Sequence, residues 1–283
     1  MQFLFNTDDI VPPEARRLGE LFHENSKLHP RASAELGRWI GELMENPAAL
    51  STMSQSFKRY DNAPSVPLPA ADPPDRPLPE ILARRRSVLS GSSEPKFSGR
   101  PLGGRDLSIL LGQACGITEV REMEAHGVKF LQRLRAYPSG GGLQPIEIYP
   151  ILQNVDDAYA GVHHYDVVNH RLEKLGDRLA PAQLDALCSF GDLLREAAAI
   201  IVLTAVFSRS YFKYHDRGYR FVLLEAGHVA QNLYLQATAL DLAVVAVGGF
   251  FDDAVNRLLG IDGLNEAAVY LVVVGHPPAP AAS

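Results

Sequence analysis

The chain has 283 residues, of which 46% are hydrophobic and 21% charged, enough apolar sequence to bury a core without disulfide or metal staples. A net charge of −6 weighs against broad nucleic-acid binding but leaves room for a basic pocket around a single phosphate. Cys115 and Cys188 both sit in apolar runs and read as buried thiols, and no Cys-x-x-Cys or His-Glu-x-x-His pattern calls for a metal.

The start, M-Q-F-L-F-N-T-D-D, lacks the basic and apolar segments of a signal peptide, and Ala198 to Phe207 is too short to span a bilayer. The expected compartment is cytoplasmic. Residues 1–61 read as a helical N-terminal extension. Leu18, Leu21 and Phe22 fall at helical spacing, as do Leu36, Trp39, Ile40 and Leu43. Residues 62–79 hold seven prolines, a density that disfavours helix and sheet ladders and predicts an extended linker. The main domain is expected over residues 80–283.

Within it, a helix is predicted from Pro79 to Arg86 and another from Asp106 to Cys115, capped by Asp106 or by the glycines before it. Strands are predicted at Ile146 to Leu152, at Gly161 to Val168 with a half-exposed alternation, at Ala198 to Phe207 and at Ala267 to Val274. Pro181 to Phe190 reads as a helix, and Tyr219 to Leu240 as a long apolar one. Helices and strands mix without regular β-α-β alternation, which favours an α+β fold.

Five constellations could carry chemistry. Arg84-Arg85-Arg86-Ser87 could hold a phosphate through planar guanidinium groups, or could simply be a solvated basic helix end. Tyr137-Pro138-Ser139-Gly140-Gly141-Gly142-Leu143-Gln144-Pro145 could let its backbone approach a ligand, or could be a turn. Gly248 and Gly249, in Val-Gly-Gly-Phe at a strand end, carry the same two readings. Lys213-Tyr214 could supply a base and a proton relay, or could belong to a solvated turn with an Asp216–Arg220 pair. Glu225, His228, Asn232 and Gln236 share one helix face, which could be a buried interface or a wet stripe. His163 and His164 point to opposite strand faces and make a poor metal site.

Taken in order, these segments resemble the SagB-type dehydrogenases of the FMN-dependent nitroreductase-like family. Phe22 to Lys27 also resembles the start of such proteins. The resemblance implies a nitroreductase-like α+β fold, an antiparallel-rich sheet covered by helices. It implies FMN, with Arg85, Arg86 and Ser87 on its phosphate and ribityl chain. Pro138, Ser139, Gly140 and Gln144 would contact the flavin, as would the amides of Gly248 and Gly249. Lys213 and Tyr214 match the catalytic pair. The implied reaction oxidises thiazoline or oxazoline rings to azoles in a ribosomally made peptide, by a homodimer with a possible cyclodehydratase partner and no nucleic acid or membrane. Two rival readings are an NAD(P)H-dependent flavin reductase acting on a small molecule and a non-catalytic scaffold subunit of a peptide-modifying complex.

Overall fold

A computed structural model describes residues 13–88, 96–125, 127–156 and 159–278. Three helices lead the chain, α1 (Pro13–Asn25), α2 (Pro30–Met44) and α3 (Pro47–Ser54). Then come strand β1 (Ser65–Pro67), helix α4 (Leu78–Arg84) and helix α5 (Gly104–Cys115). Strands β2 (Ile117–Ala125) and β3 (Val128–Arg135) form a separate two-stranded hairpin. β4 (Ile146–Leu152), β5 (Gly161–Asp166) and β6 (Arg171–Gly176) follow, then α6 (Pro181–Asp185), α7 (Gly191–Glu196) and β7 (Ala199–Val206). The chain continues through α8 (Ser208–Tyr214), α9 (Arg217–Ala239), β8 (Ala243–Val247), α10 (Asp252–Leu259) and β9 (Glu266–Gly275).

Seven strands build the main sheet in the order β1-β6-β5-β4-β7-β9-β8, and every neighbouring pair is antiparallel. β7 shows why the sheet is central. Ala199, Ile201, Leu203 and Ala205 point into one core with α5 and α9. Ile200 and Val202 point into a second core with α6, α7 and α10. A strand buried on both faces needs the near-continuous apolar run seen in the sequence. The result is three layers, helix–sheet–helix.

Four expectations need correction. The proline-rich stretch does enter a sheet ladder, because Ser65–Pro67 pairs with Arg171–Glu173 at the sheet edge, where a missing N–H costs least. β5 is buried along its whole length rather than half exposed; it lies between two strands, and Tyr60 covers His164 with ring centroids 5.2 Å apart. α6 stops at Asp185 instead of continuing to Phe190. α4 stops at Arg84, so Arg85 to Ser87 follow its C-terminal end outside any helix or strand. α5 starts as the second of its two expected caps has it, with Gly103 at the N-cap, and the Gly104 N–H donates to Asp156 Oδ2 at 3.0 Å.

Candidate active site

Two groups of the sequence-predicted residues come together around Gly141. Gly141 has φ +67°, and a Cβ there would lie 2.4 Å from the Tyr214 hydroxyl and 3.1 Å from Lys213 Nζ. The loop can therefore touch the Lys-Tyr pair only because the residue is glycine. Gln144, with φ +49°, closes the loop, its N–H donating to Ser139 Oγ at 2.9 Å. Arg209 on α8 donates to the Gln144 carbonyl at 3.0 Å.

Lys213 and Tyr214 end α8, and His215 breaks the chain into α9 with φ +48°. Lys213 is buried and makes no ion pair among the described residues. Burial lowers its pKa, and burial raises that of Tyr214. The lysine Nζ lies 5.5 Å from the Tyr214 ring centroid, and Tyr214 packs edge-on against Phe221 at 4.9 Å. A desolvated amine favours its neutral form, which can accept a proton. The Asp216–Arg220 pair does not form; Arg220 instead donates to Ser26 Oγ and the His23 carbonyl.

The N-terminal helices brace this turn. Trp39 Nε1 donates to the Phe212 carbonyl at 2.9 Å, and its ring lies 5.6 Å from that of His215. Arg217 donates to the Ser26 carbonyl, and Phe22 meets Tyr219 edge-on at 5.1 Å. A cavity of about 280 Å³ lined by Ser26, Leu28, Leu36, Tyr214 and Asp216 opens beside the pair. The sequence alone gives Trp39 only as one apolar position on an amphipathic helix, so its hydrogen bond was not legible there.

A buried ion network supports the loop from below. Arg209 pairs with Glu147 at 2.6 Å, and His164 bridges Glu147 at 3.1 Å and Glu173 at 3.0 Å. Arg171 ties Glu173 to Asp166. Burial opposes ionisation of Glu147, but Arg209 and His164 outweigh it and hold the carboxyl down to about 2. Burial likewise opposes charge on His164, yet its two carboxylates raise its pKa above the ordinary value. His163 on the opposite face is lowered to about 4 by burial. Among the described residues no group of His, Cys, Asp or Glu could hold a metal ion.

The remaining residues lie elsewhere. Arg84 is consumed by Glu80 and Asp241. The Arg85 guanidinium sits 5.5 Å from the Tyr234 ring, without an ion pair among the described residues. Arg86 turns back to the Ala83 and Arg85 carbonyls. Ser87 Oγ lies 3.0 Å from the Tyr234 hydroxyl, which accepts the Ala246 N–H of β8. Gly248 and Gly249 continue β8, exposed, with nothing closer than 3.8 Å to an added Cβ. The first cluster meets α9 at Phe221 and the second at Tyr234. Thirteen residues of helix separate the two, about 20 Å at 1.5 Å per residue.

The nitroreductase family profile matches residues 107–276, which include the loop, the Lys-Tyr pair and the paired glycines. The chain belongs to the nitroreductase family. It is 33% identical over 203 residues to the nitroreductase-type protein MJ1384 of Methanocaldococcus jannaschii, covering 70% of this chain and 90% of that one. The trifolitoxin-processing protein TfxB of Rhizobium leguminosarum bv. trifolii is 31% identical over 81% of this chain, and the microcin B17-processing protein McbC of Escherichia coli 33% identical over 45%. The chain spans 59% and 49% of those two relatives. Among solved structures, a nitroreductase-type protein from Anabaena variabilis aligns with 90% of this chain and 45% of its own, at 27% identity and a TM-score of 0.66. A chain of the E. coli microcin synthetase McbBCD complex with truncated pro-MccB17 aligns with 97% of this chain and 98% of its own, at 20% identity and a TM-score of 0.54. This nitroreductase-family chain has no helix, among the described residues, long and apolar enough to cross a membrane.

Proposed function

We propose that the protein is an FMN-dependent dehydrogenase that converts thiazoline or oxazoline rings to azoles in a ribosomally made peptide, with oxygen as final electron acceptor. The observation that carries this reading is Lys213, desolvated, without an ion pair among the described residues, and beside Tyr214 and the Gly141 backbone. Aromatising the ring removes a proton and a hydride from carbon. Lys213 Nζ, neutral, takes the proton, and Tyr214 orients the ring. A bound flavin supplies the hydride acceptor. A reductase that only passes hydride to and from flavin needs no such base. The peptide-processing relatives support a peptide substrate, and the McbBCD assembly supports a cyclodehydratase partner; a cytoplasmic location suits both.

The residues suit a flavin. Among the described residues the buried Tyr137 hydroxyl and Gln144 Oε1 beside the loop have no hydrogen-bond partner, and Gly141 lets the loop backbone lie against Lys213 and Tyr214. Arg85, Arg86 and Ser87 are the proposed phosphate and ribityl contacts, with the Pro138, Ser139, Gly140, Gln144, Gly248 and Gly249 segments at the ring. The separation of about 20 Å along α9 between the clusters supports a homodimer in which each flavin meets one cluster from each copy. The exposed Leu223 and Leu224 on α9 offer a face for that partner.

The test is the visible spectrum of purified protein, followed by mass spectrometry of an azoline peptide for loss of two hydrogens. Released flavin and ring oxidation are expected. No flavin, and none taken up on addition, rejects the reading; bound flavin with no ring oxidation favours the simple reductase. Leu224→Asp is expected to yield monomer in sedimentation and to lose flavin, and retention of both rejects the two-copy site.

A further inference from the structure

Glu225 is the one acidic side chain on α9 that is buried, at 2% exposure, and neither carboxylate oxygen has a hydrogen-bond partner. It lies one helical turn after Phe221, the residue that a Cβ on Gly140 would meet at 3.4 Å. It therefore faces the underside of the Pro138–Gln144 loop. The Ser139 hydroxyl and the Gly140 amide face it without completing a hydrogen bond. The Tyr137 hydroxyl and Gln144 Oε1 are further buried polar atoms of this loop without partners. A carboxyl left this way costs stability, since an unpartnered buried polar group keeps its desolvation penalty. Glutamine or leucine would fill the same space at lower cost.

We propose that Glu225 is a positioning residue for the Pro138–Gln144 loop, which when ionised holds the Ser139 hydroxyl and the Gly140 amide and when protonated lets them go, so that flavin affinity is linked to one proton on α9. This rests on the reading of the loop as a flavin contact. The loop passes the effect to the Lys213–Tyr214 pair, because Gly141 follows Gly140 and abuts both side chains. The surroundings place the titration in the neutral range. Burial raises the Glu225 pKa to about 7, opposed by Ser139, Arg135, the Gly140 amide and Arg209. The charged and titratable neighbours are Arg135 at the end of β3, Arg209 on α8 and Tyr137 of the loop; Cys115 of α5 and Glu147 of β4 act on the Tyr137 hydroxyl. Burial pushes Tyr137 upward and Cys115 up to about 12, and Glu147 is held at about 2. None of those three shares the Glu225 window.

The experiment compares FMN Kd from pH 6 to 8 in the full-length wild type and in Glu225→Gln. The FMN phosphate titrates equally in both, so the ratio of the two constants isolates the carboxyl. Loss of one linked proton changes that ratio by at most about tenfold per pH unit. The expected result is wild-type binding that tightens with rising pH relative to the variant. A second measurement follows the protonated-carboxyl stretch in infrared difference spectra on adding FMN, expected in the wild type and absent from the variant. A pH-independent ratio with good binding by both proteins overturns the inference and leaves the flavin reading intact. Should Glu225→Gln fail to fold, a wild-type infrared difference without a carboxyl band overturns it alone. No FMN binding by the wild type overturns the flavin reading and the inference together.

Discussion

Around Gly141 the chain closes on itself: a glycine loop, a lysine, a tyrosine and two bracing helices meet within van der Waals contact. Along β8 it stays open: Arg85 lies against a tyrosine ring, and Gly248 and Gly249 are exposed. Both regions come from motifs with adjacent glycines, three in the first and two in the second. The difference is that the first is finished by long-range contacts within the chain, whereas the second is left exposed. The proposed function assigns proton handling to the closed region and anion recognition to the open one, and the two can be broken separately.

The largest effect is expected from Lys213→Ala. Removing a general base costs about 10²–10⁴ in rate, and flavin content measured on the same sample should not change. Equal loss of both would make the lysine structural. Next comes His164→Leu, which leaves Glu147 and Glu173 facing each other without their bridge. Breaking such a buried pair costs about 3–5 kcal/mol, read by urea unfolding at pH 6. The folded pKa of His164 is raised, so its contribution is full below its ordinary value of 6.5 and is lost as pH rises through the folded one. The gap between wild type and variant should therefore narrow at alkaline pH; a gap that widens there would reject a charged His164.

The open region is tested by Arg85→Ala. Losing one charge-assisted phosphate contact costs about 1.5–3 kcal/mol, seen as weaker FMN binding in a fluorescence titration with unchanged thermal stability. Unaltered affinity would move the phosphate to Arg86, since Arg84 is already paired with Glu80 and Asp241. The smallest effect is expected from Trp39→Phe, which removes the hydrogen bond to the Phe212 carbonyl. Its net worth is about 1 kcal/mol, so turnover should fall a fewfold with flavin affinity intact. If flavin affinity falls instead, the N-terminal helices brace the open region as well.

The sequence determined much of the framework by itself. β7 and β9 were legible because strands buried on both faces must be apolar at every position. α5 and α9 were legible from their spacing, whereas the glycine and Lys-Tyr segments read as plain turns by residue type and stood out only through the family resemblance. The β2–β3 hairpin went unread because Ile117, Val120 and Met123 fall three apart among charged residues, without the alternation that marks a strand. Only the tertiary structure decided that β5 is buried, that α4 ends before Arg85 and that a proline segment could join a sheet edge. Periodicity reports the local backbone, whereas burial and capping depend on what packs against it. The same holds for the site: the sequence left Lys213 as either a base or part of a solvated turn, and its desolvation comes from α8 packing near a loop some seventy positions earlier in the chain. Glu225 was visible as one member of a polar helix face, yet that face divides, with Glu225 turned inward and His228 left in solvent. Helix spacing places residues on a side of the cylinder; the partner elements alone fix which part of that side is dry.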